Sequence, residues 1–170
     1  MPDEAVHPTD GDDLDLEEQA DAVADFVEEL LLRMDIDAIA EPSERRGRIY
    51  VDILDGPEDA MAMLIGRQGQ TLDAIQELVR QSVGRRLDER IRVLVDVQDY
   101  RKHRTDRLEQ QATEAAERVV AEGGEIELDL MNALDRKVVH DAVANVSGAA
   151  TSSRGQEPER YVVITPADAG

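Results

Sequence analysis

The sequence predicts an α+β chain built as two small domains, each with helices packed on a roughly three-stranded sheet. Apolar residues recur at three- and four-residue steps in several stretches, and in others they alternate with polar residues at period two. The order of these patterns also changes near residue 100: helix, strand, strand, helix, helix, strand before it, then helix, strand, helix and a hairpin. The implied divisions are a disordered acidic tail at 1–16, one domain at 17–99 and a second at 100–168.

Residues 1–16 (MPDEAVHPTDGDDLDL) hold too little large apolar surface to offset the entropy of ordering them. Asp10, Asp12, Asp13 and Asp15 invite comparison with a calcium loop, but the glycine at position 11 falls where that loop's spacing has none. From Glu17 onward, Ala20, Val23, Ala24, Val27, Leu30, Leu31 and Met34 lie on one face of a helix. A short extended piece near 36–40 follows, ended by Pro42 and a basic turn. Across 48–54, Ile49, Val51 and Ile53 alternate with Arg48, Tyr50 and Asp52, as in a half-buried strand. Asp55-Gly56-Pro57 stops it. Residues 58–65 suit a short helix, Gly66-Arg67-Gln68-Gly69 interrupts, and Leu72, Ile75, Leu78, Val79 and Val83 resume the helical period. Ile91, Val93, Val95 and Val97 then alternate as a further strand.

The second domain opens on a helix over 101–122 whose Leu108, Ala112, Ala115, Ala116, Val119 and Val120 share a face, closed by Gly123-Gly124. Residues 126–130 read as a short strand. Asn132 caps a helix running to about Val146, with Asp135 near its positive end. Residues 150–153 and 160–165 flank a Gly155 and Pro158 turn as a hairpin.

Composition narrows the function. Among 170 residues, 39 acidic against 19 basic side chains leave a net charge of −20. The acidic excess sits mostly at the front, and 18 of the 19 bases follow residue 40, so local basic surfaces survive. With no cysteine and three scattered histidines (His7, His103, His140), thiol chemistry and dense metal sites are not supported and no cofactor is implied. No apolar run approaches a membrane span and the N-terminus is not a signal peptide, so a cytoplasmic protein without membrane insertion is expected.

Glycines at 66 and 69 between two helices admit close backbone approach, and the following helix offers free N–H groups and a positive dipole end to a phosphate. A turn of structural purpose alone has the same spacing. Arg67 inside the turn and the flanking order of strand, helix, turn, helix, strand favour the phosphate reading. The segment MLIGRQGQTLDAIQ, residues 63–76, resembles the signature of a KH domain, and the helix-first order resembles the type II arrangement. That resemblance implies a loop clamping the backbone of about four nucleotides. It gives Gly66, Arg67, Gln68 and Gly69, flanked by Gln70, to phosphates, and Ile65, Leu72, Ile75, Val51 and Ile53 to the border of a base groove. The sequence leaves open which of these apolar residues face a groove and which the core.

Arg136 and His140 lie four residues apart and share a helix face, an ordinary pairing on its own. The stretch MNALDRKVVH, residues 131–140, followed by Gly155, Pro158 and Arg160, resembles the domain named for its Arg-x-x-x-His motif, which is associated with single-stranded nucleic acid. A KH domain followed directly by this one resembles the Jag, or SpoIIIJ-associated, family of bacterial RNA-binding proteins, over about residues 17–166. Many members carry a further folded N-terminal domain and linker. Here only the acidic segment precedes the first helix, so nothing that domain contributes is carried over.

The resemblance implies a non-enzymatic protein that binds single-stranded RNA, with single-stranded DNA the second candidate. It further implies post-transcriptional control or RNA chaperoning that affects cell growth, shape or envelope, and a small KH-domain partner. The expected phosphate contacts are the glycine turn with the arginines from Arg85 and Arg86 to Arg92, then Arg136, Lys137, His140, Arg154 and Arg160 in the second domain. The basic start of the second domain, Arg101 to Arg107, either extends that track or is a solvated face. Phe26, Tyr50, Tyr100 and Tyr161 are the only aromatics, so stacking platforms are scarce and sequence preference is expected to be broad. Two other functions compete: an adaptor recruiting a protein through the acidic helix at 17–34, and a nuclease using His140 as general base. The second lacks a paired carboxylate or metal constellation.

Overall fold

In the computed structural model, residues 15–167 are described, so most of the expected acidic tail lies outside the described residues. The chain divides between Asp99 and Tyr100 into two compact units.

The first unit runs α1 (Leu16–Arg33), β1 (Ile39–Arg45), β2 (Arg48–Leu54), α2 (Glu58–Ile65), a turn of 3-10 helix (Arg67–Gly69), α3 (Gln70–Leu87) and β3 (Val93–Val97). The strands form one sheet in the order β1-β2-β3, the first pair antiparallel and the second parallel. Ile49, Val51 and Ile53 of β2 and Val93, Val95 and Val97 of β3 are buried while the residues between them are not, so the helices cover one face. Val23, Val27 and Leu31 of α1 and Leu72, Val79 and Val83 of α3 complete that core.

The break expected at Pro42 does not occur. The strand continues to Arg45, with Pro42 opposite Val51. Proline is tolerated because β1 is an edge strand.

The second unit runs α4 (Tyr100–Glu122), β4 (Ile126–Glu127), α5 (Ala133–Ala144), β5 (Ala149–Arg154) and β6 (Tyr161–Pro166). Its antiparallel sheet has the order β4-β6-β5. Leu108, Ala112, Ala116 and Val119 of α4 pack with Val139 and Val143 of α5 and Val162 and Ile164 of β6. Asn132 caps α5, its side chain accepting from Asp135 N–H at 2.9 Å. Arg104 donates twice to the Asp135 carboxylate, at 3.0 and 3.1 Å, so this member of the basic stretch braces α4 against α5 instead of lying free on a surface.

Candidate nucleic-acid interface

The glycine turn is built on three residues of positive φ. The Gly66 N–H closes α2 on the Ala62 carbonyl at 2.9 Å, and Gly66 then takes φ +70° and ψ −177°, a conformation open essentially to glycine alone. Gln68 (φ +55°) and Gly69 (φ +82°) complete the reversal, and α3 starts at Gln70. A Cβ at Gly66 would stand 2.0 Å from Thr71 Oγ1 and 2.9 Å from the Thr71 nitrogen, so the backbone fits only because the side chain is missing.

Arg67 projects into solvent and takes part in no salt bridge among the described residues, Gln68 and Gly66 are partly exposed, and Gly69 is buried. Gln70 is exposed and Ile65 half-buried. The face offered to a ligand is therefore the Arg67-Gln68 tip and the start of the 18-residue α3, whose dipole favours an anion there.

Two groups of expected site residues lie elsewhere. Leu72, Ile75, Val51 and Ile53 are core residues. Leu72 and Ile75 fall on the buried side of α3 and the two strand residues point under the helices, so of the apolar positions assigned to a groove only Ile65 is accessible. Arg85 and Arg86 are exposed on the last turn of α3, 16 and 17 positions beyond Gly69. At 1.5 Å per residue Arg85 stands about 24 Å along the helix from the turn.

In the second unit, Arg136 departs most from expectation. It is buried at 6% exposure, with Nη1 donating to the Met131 carbonyl at 2.7 Å and Nη2 to the Glu157 carboxylate at 2.5 Å. Such a guanidinium holds the fold and is not displayed to phosphate. His140 bridges α5 to β5: Nδ1 shares a hydrogen bond with Thr151 Oγ1 at 2.7 Å and Nε2 with Ser153 Oγ at 2.9 Å. Burial, then the nearby charge of Arg136, hold its imidazole below the ordinary range against an opposing pull from Asp141, with Arg160 adding the smallest push in the same direction as Arg136. Arg160 is half-buried, and its Nε has no partner among the described residues. Arg136, His140 and Arg160 thus share one neighbourhood. Lys137 is exposed and pairs with Asp141, while Arg154 pairs with Glu125 at 2.9 Å and with Glu127 at 3.7 Å. Among the described residues no group of three or more His, Asp or Glu side chains is placed to hold a metal, and no helix is long and apolar enough to cross a membrane.

A helix-first unit with a left-handed GxxG turn, followed by a unit in which Arg-x-x-x-His ties a helix to a sheet, defines a protein with a KH domain and an R-x-x-x-H domain. The comparisons agree: residues 20–95 match the KH domain of KhpA/KhpB, and residues 106–166 match the R-x-x-x-H domain. RNA-binding protein KhpB of Clostridium symbiosum is 33% identical over 147 residues, covering 85% of this chain and 65% of the relative. The protein of the same name from Streptococcus pneumoniae serotype 2 is 31% identical over 150 residues, covering 88% and 45%. That of Bacillus subtilis is 33% identical over 106 residues, covering 61% and 51%. The chain belongs to the KhpB/Jag family, and it spans less than two thirds of the length of these relatives.

Proposed function

We propose that the chain binds single-stranded RNA, with the glycine turn as its primary phosphate contact, and acts by binding alone, without catalysis, as a post-transcriptional regulator or RNA chaperone in the cytoplasm. The observation that carries this reading is the Arg67-Gln68 tip, exposed and without a salt bridge among the described residues, at the head of α3 in a unit matching a KH domain. Its phosphate contacts would be Arg67, Gln68 and the backbone at the head of α3, with Gln70 and Ile65 beside them. In the second unit Lys137, His140, Arg154 and Arg160 reach or border the surface. His140, whose two ring nitrogens are engaged by Thr151 and Ser153, ties α5 to β5 beside these cations. The relatives' name and the matched family model support RNA as the ligand over single-stranded DNA.

Ultraviolet crosslinking of the full chain to short single-stranded RNA, read by peptide mass spectrometry, tests this. Crosslinks within 65–70 support it, and crosslinks confined to other segments overturn the assignment of the turn.

A second reading is favoured by Leu32, Met34 and Ile39, exposed large apolar residues at the end of α1 and the start of β1. Such residues suit a protein partner, and the name of the matched model makes a small KH-domain protein the natural candidate.

A further inference from the structure

The first unit carries a second basic feature at the end of the sheet where β2 and β3 begin, a cavity of about 1050 Å³. Arg45, Arg46, Arg48, Arg80, Arg90 and Arg92 line it, drawn from the β1–β2 turn, α3 and the segment leading into β3. No acidic residue shares that lining, although acids outnumber bases 39 to 19 in the chain. Glu77 pairs with Arg80 at 2.6 Å, and none of the other five takes part in a salt bridge among the described residues.

The sheet itself assembles this charge. Arg45 faces Arg48 across the antiparallel pair, and Arg92, whose carbonyl accepts from Ile49 N–H at 2.9 Å, sits beside Arg48 across the parallel one. Like charges on adjacent strands repel, and an acid-rich chain had ample means to neutralise them. Two further details fit a site built for an anion. Arg46 adopts φ +54° in a two-residue hairpin turn, a left-handed position where asparagine or glycine costs less. The Arg45 guanidinium lies 5.6 Å over the Tyr50 ring, which keeps a planar donor at the cavity edge.

We propose that this cavity is a second phosphate site, taking consecutive phosphates of the same single-stranded RNA, an inference that rests on the RNA-binding reading above. It is distinct from the glycine turn. No residue of 65–72 lines it, and Arg80 lies 11 positions beyond Gly69 on α3, about 16 Å along the helix axis. A strand of four nucleotides fills the turn alone; a longer one reaches the arginines as well.

The test uses fluorescein-labelled oligouridylates of 4 and 16 nucleotides, titrated with the full chain by fluorescence anisotropy across a salt series, for wild type and for Arg46→Gln, Arg48→Gln, Arg92→Gln combined. All three side chains are exposed, so an unchanged melting temperature is expected. For the 16-mer the triple variant loses roughly tenfold in affinity, and its salt slope falls by about 2, because about 0.7 counterion is released per phosphate contact on a single strand. Binding of the 4-mer stays within about twofold, and the matching Arg→Lys variant keeps the salt slope. Wild-type affinity and slope for the 16-mer in the triple variant overturn the second site. Equal loss on both oligomers also overturns it, since the arginines would then belong to the turn's own site. Failure of the wild-type chain to bind either oligomer overturns the RNA reading itself, and the second site with it.

Discussion

Arg136 is tied to Glu157 by a 2.5 Å hydrogen bond that joins α5 to the turn between β5 and β6, while its other terminal nitrogen holds the Met131 carbonyl just ahead of α5. One guanidinium thus fixes three segments of the second unit. Replacement by methionine keeps much of the apolar stem and leaves the Met131 carbonyl unpaired in a buried setting. Arg136→Met is therefore expected to lower the unfolding free energy by about 2–4 kcal/mol, and Glu157→Gln, at a half-exposed position, by no more than about 1 kcal/mol. Urea denaturation measures both. Unchanged stability in Arg136→Met would return this arginine to the surface contacts.

The displacement of the His140 imidazole below its ordinary value of 6.5 has a definite sign for stability. The unfolded chain binds this proton more readily than the folded one, so the histidine's contribution is full above the unfolded value and is lost as the pH falls below it. Between about pH 7.5 and about 5, wild type should lose stability relative to His140→Gln, the two denaturation series converging on acidification. Parallel series would show that burial and the Arg136 charge do not disfavour the proton.

Gly66→Ala introduces a Cβ 2.0 Å from Thr71 Oγ1 and, more seriously, 2.9 Å from the Thr71 backbone nitrogen. A side chain can turn away, but the first turn of α3 must move. The expected cost is about 1–3 kcal/mol from the backbone conformation alone, together with weaker RNA binding. Thermal melting and anisotropy on the same sample check it, and a stable variant with full affinity would contradict the geometry.

Gln76 splices α3 onto the open edge of β3: its Nε2 donates to the Val93 carbonyl and its Oε1 accepts from Val95 N–H, both at 2.7 Å. The amide takes the place of a missing neighbour strand. Gln76→Leu, which removes both of these hydrogen bonds, is expected to destabilise the first unit by about 1–3 kcal/mol, measured by urea denaturation. A neutral result would mean that water replaces the amide at no cost.

The elements were legible wherever burial imposes a simple period. The faces of α1 and α4, the alternation in β2 and β3, the Asn132 cap and the hairpin at the end of the second unit all follow from the residues themselves. The glycine turn was legible as well, because its backbone admits few other residues. Pro42 misled because its meaning depends on whether a strand is central or at an edge, which is a tertiary fact. Arg136 misled because a charged residue beside Lys137 and Asp135 reads as surface, and its partners, Met131 and Glu157, are fixed only once the hairpin closes. The gathering of Arg45, Arg48 and Arg92 depends on strand register, which no local period reveals.

The most direct test of the central claim is the affinity of the full chain for single-stranded RNA after Arg67→Asp with Gln68→Asp, which sets carboxylates where phosphate would sit. Both side chains belong to the turn's accessible tip, so helicity and melting should be preserved. Most binding of a tetranucleotide is expected to be lost, roughly tenfold or more in affinity. Wild-type affinity in a folded double variant would contradict it.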